Sequence, residues 1–330
     1  MGDVAKLAGV SPQTVSRVVN ARAYVGEQTR DRVRAAMRQL NYRPNPAAQA
    51  LVTGRSKALG VVSIDTVAFG PASVLLALER AAQARGFAVS VARLASFDRE
   101  SLLRALDQLQ RQGVAGIFLN AGQDGIMSWL DHSWADIPLV AIEDTPDAAA
   151  PVVAVDQFAG AAAATQLLLG LGHRRVSHVA GPGNWSPARR RIEGWREALE
   201  SADAPVIPPL FGDWSVRSGY ERGRQLAQDR DVTAIFAAND EMALGVMRAV
   251  FEAGREVPGD VSITGFDDVP FARYLSPSLT TVRQDFDEVG RRSVDLLLNA
   301  IQGVDDADVR AAITPDLVVR ESTGPALVRA

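Results

Sequence analysis

The chain has 330 residues, of which 47% are hydrophobic and 22% charged, and it contains no cysteine. A chain of this length is too long for a single hydrophobic core, so we predict two or three domains of a soluble globular protein. The composition excludes disulfides, thiol catalysis and zinc-finger sites. With no transmembrane run and no signal peptide, we expect a cytoplasmic protein that does not bind membranes.

The net charge of −4 is unevenly distributed along the chain. Residues 1–57 contain ten lysines and arginines against three acidic residues, a net charge of +7, so the rest of the chain carries −11. A basic segment attached to an acidic body indicates that the segment binds a polyanion. A solvated helical surface would explain the same charge.

The first forty residues are predicted to form three short helices. Apolar residues recur at helical spacing from Val4 to Ala8, and Gly9 supplies the backbone freedom for a tight turn. Ser11 is a typical N-cap, followed by Pro12 at a tolerated position, and the apolar face of the second helix consists of Val15, Val18 and Val19. A third helix is predicted from Gln28 to Leu40, with inward-facing Val33, Ala36, Met37 and Leu40. This arrangement is what a helix-turn-helix unit requires.

A linker is predicted after the third helix. Two prolines in Asn41–Pro46 break the helical pattern, and the short helix former at 47–52 ends in Thr53-Gly54. Such a segment is too short to be a stable helix in isolation, so we expect it to order only in context.

From Leu59 onward, short β-branched-rich runs alternate with helical stretches. The predicted strands are 59–64, 87–94, 114–119, 138–142, 152–155, 176–180, 206–211, 234–237, 261–265 and 279–282. The predicted helices are about 74–85, 98–112, 123–131, 157–171, 187–200, 216–228 and 240–253, and a last helix at 286–302 and strands near 309–321 are expected to cross back between the halves. This alternation of strands and helices predicts an α/β body of two doubly wound parallel-sheet subdomains with a cleft between them. Ligands bind such sheets beyond the carboxyl ends of the strands.

The stretch Asp3–Asn20, DVAKLAGVSPQTVSRVVN, is the most specific pattern in the sequence. It resembles the DNA-binding signature of the LacI/GalR family of transcription regulators, and further matches lie at 181–182, 212–215, 238–245, 265–268 and 279–286. The resemblance covers practically the whole chain. It implies an N-terminal all-α helix-turn-helix head (1–44), a hinge helix and linker (45–57), and a periplasmic-binding-protein-like effector-binding and dimerisation domain (58–330). The implied N-subdomain is about 58–155 and 286–313, and the C-subdomain is about 156–283 and 314–324.

The second helix of the head carries the side chains expected to contact DNA. A helix that reads the major groove needs donors and acceptors at its N-terminal end; Gln13 can pair with adenine and Arg17 with guanine. The resemblance implies that Pro12, Gln13 and Arg17 occupy the base-reading positions. The side chains able to bond phosphates and fix the register are Ser11, Thr14, Ser16, Asn20 and Thr29. The alternative is an ordinary surface helix.

The resemblance also implies that the linker is a hinge helix, which pairs with that of a second copy in the minor groove. Leu51 matches the leucine that is wedged between base pairs, and Asn45, Ala48 and Gln49 would accompany it. An apolar wedge costs about a few kcal/mol of unstacking and bends the duplex. A buried packing role for Leu51 is the alternative.

In the body, the resemblance implies an effector site. Arg191 matches an arginine that holds polar groups of the effector, and Trp214 offers an aromatic face to a sugar ring. The whole expected set is Ser63, Asp65, Val74, Glu143, Asp144, Arg191, Trp214, Asn239, Asp267, Gln284 and Phe286. Ile64 and Glu143 depart from the family's pattern, so Ser63 or Asp65 is expected to substitute for a serine contact and the ligand is left open. Surface or capping duty is the alternative for each residue.

The expected function is a repressor that a small sugar or glycoside releases from a pseudo-palindromic operator. Its partners would be double-stranded operator DNA, the effector and a second copy of the chain. We expect a dimer, because the chain ends soon after Val318–Arg320 without the leucine-repeat helix that makes tetramers in this family. The alternatives are a same-family regulator with a non-sugar effector or co-repressor, such as a nucleobase, and a sugar-binding protein without a DNA role.

An enzyme is not expected, and neither is a metal site or a cofactor. The sequence contains no HExxH pair, no GxSxG elbow and no P-loop spacing. His173 and His178 flank the start of a predicted strand, which favours structural roles for both.

Overall fold

A computed structural model describes residues 1–19, 25–42, 56–64, 68–120, 122–123, 125–130, 134, 137–143, 150–304 and 309–327. The chain forms two compact units, Met1–Lys57 and Ala58–Ala330. No helix in the described parts of the chain is long and apolar enough to cross a bilayer.

The first unit contains three helices, as predicted: α1 (Gly2–Ala8), α2 (Pro12–Val19) and α3 (Glu27–Gln39). Gly9 ends α1 with a left-handed backbone, φ 64°. The predicted cap of α2 is confirmed, because the Thr14 backbone N–H donates to Ser11 Oγ at 3.2 Å. The small core of this unit consists of Val4, Ala5, Ala8, Val15, Val33 and Ala36.

Leu40 does not belong to this core, and its predicted inward orientation is wrong. Helix α3 ends at Gln39, and Leu40 is the residue that caps it. The Leu40 side chain is therefore turned out of the helical stripe and is 43% exposed.

The second unit contains a parallel six-stranded sheet flanked by helices. Its strands are β1 (Ala58–Ile64), β2 (Ala88–Leu94), β3 (Ile117–Asn120), β4 (Leu139–Ile142), β5 (Val152–Val155) and β11 (Arg310–Ile313), in the order β11-β5-β4-β3-β1-β2. Its helices are α4 (Phe69–Ala84), α5 (Arg99–Arg111) and α10 (Phe286–Ile301). Strands β1, β3, β4 and β5 are buried on both faces, so their sequences are continuous apolar runs rather than alternating ones.

A second parallel sheet has four strands. They are β6 (Val176–Ala180), β7 (Leu210–Phe211), β8 (Ala234–Ala237) and β9 (Ser262–Thr264), in the order β7-β6-β8-β9. The accompanying helices are α6 (Gln157–Gly170), α7 (Ser186–Glu200), α8 (Val216–Gln228) and α9 (Asp240–Glu252). A separate antiparallel pair joins β10 (Thr281–Arg283) and β12 (Asp316–Val318).

The chain passes between the two parallel sheets more than once. It leaves the six-stranded sheet after β5, returns through α10 to β11, and leaves again to β12. Gln157 follows the first of these crossings, and Gln284 lies on the second. Both residues are therefore close to the segments that join the two halves of the unit.

Two predicted elements are shorter than expected. The predicted helix at 123–131 is only a 3-10 turn, Ile126–Trp129, because Gly125 precedes it with a left-handed φ of 79°. The predicted strand at 206–211 is reduced to Leu210–Phe211. Pro208 and Pro209 supply no backbone N–H to a sheet, which explains the shortening.

The two histidines that the structure describes, His173 and His178, are both buried in the second unit. The His173 ring nitrogens lie 3.0 Å from the hydroxyls of Thr233 and Ser262. The ring of His178 stacks on Phe236, with 4.6 Å between the ring centroids. Burial lowers the pKa of His178 to about 4, so this ring is neutral near neutral pH.

Helices α8 and α9 approach each other through glycines. A Cβ atom on Gly245 would lie 2.1 Å from the Val216 carbonyl oxygen, and one on Gly219 would lie 2.2 Å from that of Met242. Backbone stands opposite both glycines, so a larger side chain cannot be accommodated by a rotamer change.

We predict that Gly245→Ala destabilises the body by about 1–3 kcal/mol, because the methyl group forces the two helices apart. Urea unfolding of the full chain measures the change. Gly170→Ala is the matched control, since a Cβ there meets no atom within 4 Å and alanine is the better helix former. Equal unfolding midpoints for Gly245→Ala and the wild type would contradict the prediction.

Candidate functional site

A cavity lies inside the second unit. Its wall includes residues at or just beyond the carboxyl ends of strands from both halves, which is where doubly wound sheets bind ligands. The lining residues are Ile64, Ala68, Phe69, Gly70, Pro71, Asn120, Gly122, Glu143, Trp185, Pro187, Arg191, Trp214, Asn239, Asp267, Gln284 and Phe286.

Four buried polar side chains beside this cavity form a closed ring of three hydrogen bonds and one ion pair. Arg191 Nε–H donates to Gln157 Oε1 at 2.9 Å, and Gln157 Nε2–H donates to Gln284 Oε1 at 2.9 Å. Gln284 Nε2–H donates to Asp267 Oδ1 at 2.5 Å, and Arg191 Nη2 lies 3.5 Å from the same oxygen. The ring fixes the orientation of each member and joins the residues at two of the chain crossings.

Two further contacts immobilise Arg191. Its Nη1–H donates to the Ala238 carbonyl oxygen, and its guanidinium lies over the Phe266 ring, with 3.7 Å from Cζ to the ring centroid. The side chain is almost fully buried, yet it lines the cavity. A planar guanidinium held in this way presents its remaining N–H groups to a ligand in a fixed geometry.

Burial dominates the electrostatics of the Arg191–Asp267 pair. It raises the pKa of Asp267 to about 7, although the nearby Arg191 favours the carboxylate form. It also lowers the pKa of Arg191, while the neighbouring carboxyl groups oppose that shift. Both groups would be costly to bury alone, so each depends on the other for its charge.

Two tryptophans contribute aromatic surface to the cavity. The rings of Trp185 and Trp214 are nearly perpendicular, with 6.1 Å between their centroids. Trp214 has a left-handed backbone, φ 73°, and its ring lies close to Gly181, where a Cβ would come within 2.2 Å of it. The buried Nε1–H of Trp214 has no hydrogen-bond acceptor among the residues that the structure describes.

Asn239 lines the cavity and also caps helix α9. Its Oδ1 accepts from the Met242 backbone N–H at 2.9 Å, and its Nδ2 donates to the Trp214 carbonyl oxygen at 3.1 Å and to Glu241 at 2.8 Å. Both amide hydrogens are thereby used, so Asn239 can offer a ligand only a lone pair of Oδ1.

Two contacts join the halves of the second unit at the cavity. The Ser186 backbone N–H donates to the Gly122 carbonyl oxygen at 2.8 Å. The backbone of Phe69, at the start of α4, favours the carboxylate form of Glu241. Burial raises the pKa of Glu241.

Most of the residues expected at an effector site come together at this cavity. The expected residues that line it are Glu143, Arg191, Trp214, Asn239, Asp267, Gln284 and Phe286. Ser63 and Val74 are not among the residues that line it. Ser63 Oγ–H donates to the Ile64 carbonyl oxygen while Ile64 faces the cavity, and Val74 is buried in the apolar core under α4. Asp65 and Asp144 lie outside the described residues.

Several lining residues were missed by the sequence analysis. Asn120 ends β3 after an apolar run, a pattern that could have identified it. Phe69, Trp185 and Pro187 lie at helix beginnings, and no local pattern distinguishes them from packing residues. Gln157 becomes a candidate only through its bond to Arg191.

The expected DNA-contacting side chains of the first unit lie around helix α2. Ser11, Pro12, Gln13 and Arg17 are exposed, whereas Thr14, Ser16 and Thr29 are partly buried. Val15 points into the core, so the polar residues of α2 occupy its outer face. Asn20 and the expected hinge residues Asn45, Ala48, Gln49 and Leu51 lie outside the described residues.

Comparison with known proteins gives matches over both units. Residues 1–45 match the model of the bacterial regulatory proteins of the lacI family, and residues 165–323 match a periplasmic binding protein-like domain. The lactose operon repressor of Escherichia coli strain K12 is 35% identical over 305 residues, which is 91% of this chain and 84% of that protein. The HTH-type transcriptional repressor PurR of Haemophilus influenzae strain PittEE is 34% identical over 97% of both chains. A crystal structure of the lac repressor dimer bound to operator and the anti-inducer ONPF superimposes with a TM-score of 0.89, 34% identity and 98% coverage of each chain.

Proposed function

This chain belongs to the lacI family of bacterial regulatory proteins, DNA-binding transcriptional repressors, and we propose that a small sugar or glycoside in the cavity of its body releases it from its operator. The observation that carries the proposal is the cavity itself. The cavity brings the aromatic surfaces of Trp185 and Trp214 together with Arg191, a member of the polar ring described above.

Sugars combine hydroxyl groups with apolar ring faces, and the cavity offers partners for both. Arg191 and the Trp214 Nε1–H supply donors, and Glu143 and Asp267 supply acceptors. The tryptophan rings can pack against the apolar face of a sugar ring. The name of the lactose operon repressor, a relative over most of this chain, supports the sugar class.

Helix α2 is the proposed reader of the operator. Gln13 and Arg17 are exposed on it and can make bidentate contacts with adenine and guanine in the major groove. We propose residues 1–44 as the DNA-binding domain, 45–57 as the hinge helix and linker, and 58–330 as the effector-binding and dimerisation domain. Leu51 is the proposed minor-groove wedge.

The proposed coupling between effector and operator runs through the chain crossings. An effector that binds Arg191 and Asp267 also acts on Gln157 and Gln284, because the four side chains share one ring. A change in the relative position of the two halves would then alter the hinge segments of a homodimer. Couplings of this kind are typically about 1–3 kcal/mol.

The proposal is tested by a thermal-shift screen of the full chain against mono- and disaccharides and nucleobases. Sugars that stabilise the protein are then added to its complex with an operator obtained by in vitro selection, and binding is followed by fluorescence anisotropy. We expect release of the operator by at least one sugar. Stabilisation by nucleobases alone, with tighter operator binding, would favour a co-repressor mechanism instead. Size-exclusion chromatography with light scattering tests the dimer, and a monomer at micromolar concentration would contradict it.

We predict that Gly181→Ala weakens effector binding by about two- to tenfold, because its methyl group displaces the Trp214 ring from the cavity wall and removes an aromatic contact of about 0.5–1.5 kcal/mol. Isothermal titration calorimetry with the sugar found by the screen measures the loss. Gly183→Ala is the matched control in the same loop, because its Cβ would make an ordinary 3.6 Å contact with Phe211. If both variants bind the sugar like the wild type, Trp214 is not part of the effector site.

A further inference from the structure

The charged side chains of the cavity wall are few. Within the parts of the body that the structure describes, they are Glu143, Arg191 and Asp267. The remaining residues between 65 and 149, those that the structure does not describe, include no lysine or arginine in the sequence. The described part of the wall therefore offers a ligand one cation against two carboxyl groups.

The positive charge of Arg191 is already balanced within the protein. Nη2 lies 3.5 Å from the Asp267 carboxylate, Nη1–H donates to a backbone carbonyl, and Nε–H donates to Gln157. These contacts use three of the five N–H groups of the guanidinium. The other two can donate to a hydroxyl oxygen, but no unbalanced positive charge remains for an anion.

We propose that the cavity selects neutral sugars over phosphorylated or carboxylated ones, and that Asp267 sets this charge selectivity by its pairing with Arg191. The inference rests on the proposed sugar effector and deepens it. A phosphate or carboxylate in the cavity would lose its hydration and lie near Glu143 and Asp267, with no unpaired cation to offset that cost. A neutral hydroxyl loses far less hydration and can still accept from Arg191.

Asp267 is fixed in position by its burial and its partners. Its side chain is 7% exposed and accepts from Gln284 as well as facing Arg191, so it cannot turn away to release the guanidinium without breaking the ring. Its left-handed backbone, φ 111°, holds it in this place three residues beyond β9. An incoming anion would have to displace Asp267 to capture Arg191.

The experiment is isothermal titration calorimetry of the full chain with matched sugar series, at a pH above the Asp267 pKa of about 7, where this side chain is a carboxylate. The glucose series is methyl β-glucoside, glucose 6-phosphate and glucuronate, and the galactose series has the same three forms. We expect the neutral member to bind at least about tenfold more tightly than either anion in any series that binds. An anionic member that binds as tightly as its neutral counterpart overturns the charge selectivity and leaves the sugar effector standing. Absence of binding in both series, and with the disaccharides lactose and cellobiose, overturns both proposals.

Asp267→Asn identifies the residue responsible. It keeps the side-chain shape and frees the charge of Arg191, so the ratio of neutral to anionic affinity should fall about tenfold or more. Asp268→Asn is the matched control, because the neighbouring carboxylate pairs with Arg283 and Arg320 and does not line the cavity. A wild-type ratio in Asp267→Asn overturns the assignment to Asp267. The wild-type series decides the charge selectivity by itself if the variant does not fold.

Discussion

Replacing Arg191 with alanine is expected to abolish the response to effector while specific operator binding persists. Arg191 is the cation of the cavity wall in the described body, and it supplies the charge-assisted donors that a sugar hydroxyl would use. Hydrogen bonds to charged groups contribute about 1.5–3 kcal/mol each, so the loss of two predicts effector binding weaker by about 100-fold or more. The measurement is sugar-dependent release of labelled operator, followed by anisotropy.

The same variant is expected to unfold more easily. Removal of Arg191 leaves the buried Asp267 carboxylate without its cation and Gln157 without a donor. Breaking a buried ion pair on one side costs about 3–5 kcal/mol. The pKa of Asp267 then rises further, so the loss should shrink as the pH falls and Asp267 becomes neutral. Urea unfolding at several pH values measures this dependence.

Arg190→Ala is the matched control for both measurements. It removes an arginine from the neighbouring position of α7, where the side chain is partly exposed and pairs with Glu193. Such a surface pair contributes about 0–1 kcal/mol, so stability and sugar response should stay near the wild type. If folded Arg191→Ala still responds to the sugar, or loses operator binding, the separation of the two roles is wrong.

Replacing Gln13 or Arg17 with alanine is expected to lower specific operator affinity by about 1–3 kcal/mol each, which corresponds to roughly five- to 150-fold. Each side chain is exposed on α2 and able to contact a base edge with two hydrogen bonds. The helical core around Val15 is not touched, so thermal stability should stay within about 0.5 kcal/mol of the wild type. Anisotropy with the selected operator and with scrambled DNA measures the specific and non-specific affinities.

Arg34→Ala separates base reading from charge. Arg34 is exposed on α3, and its loss removes the same positive charge as Arg17→Ala without touching α2. We expect Arg34→Ala to weaken both DNAs alike, because a general phosphate attraction does not depend on sequence. An unchanged ratio of specific to non-specific affinity in Arg17→Ala would contradict the base-reading role.

The sequence predicted the elements whose signals are local. Ser11 followed by a tolerated proline determined where α2 begins, and the short apolar runs of β5 and β8 predicted strands at the observed bounds. Prediction failed where a single backbone feature overrode the pattern. The left-handed Gly125 replaced a helix with one turn, and two prolines shortened a strand.

The sequence by itself placed Asp267 and Asn239 after predicted strands, where side chains that follow parallel strands meet at one edge of a sheet. The family resemblance is what singled them out as effector contacts. Only the tertiary structure decided what these side chains do there. Asn239 is held as a helix cap, Val74 is buried in a core, and the charge of Arg191 is balanced by Asp267 within a ring that includes Gln157. The members of that ring are far apart in the chain, so their distances and charges depend on packing that no local pattern encodes.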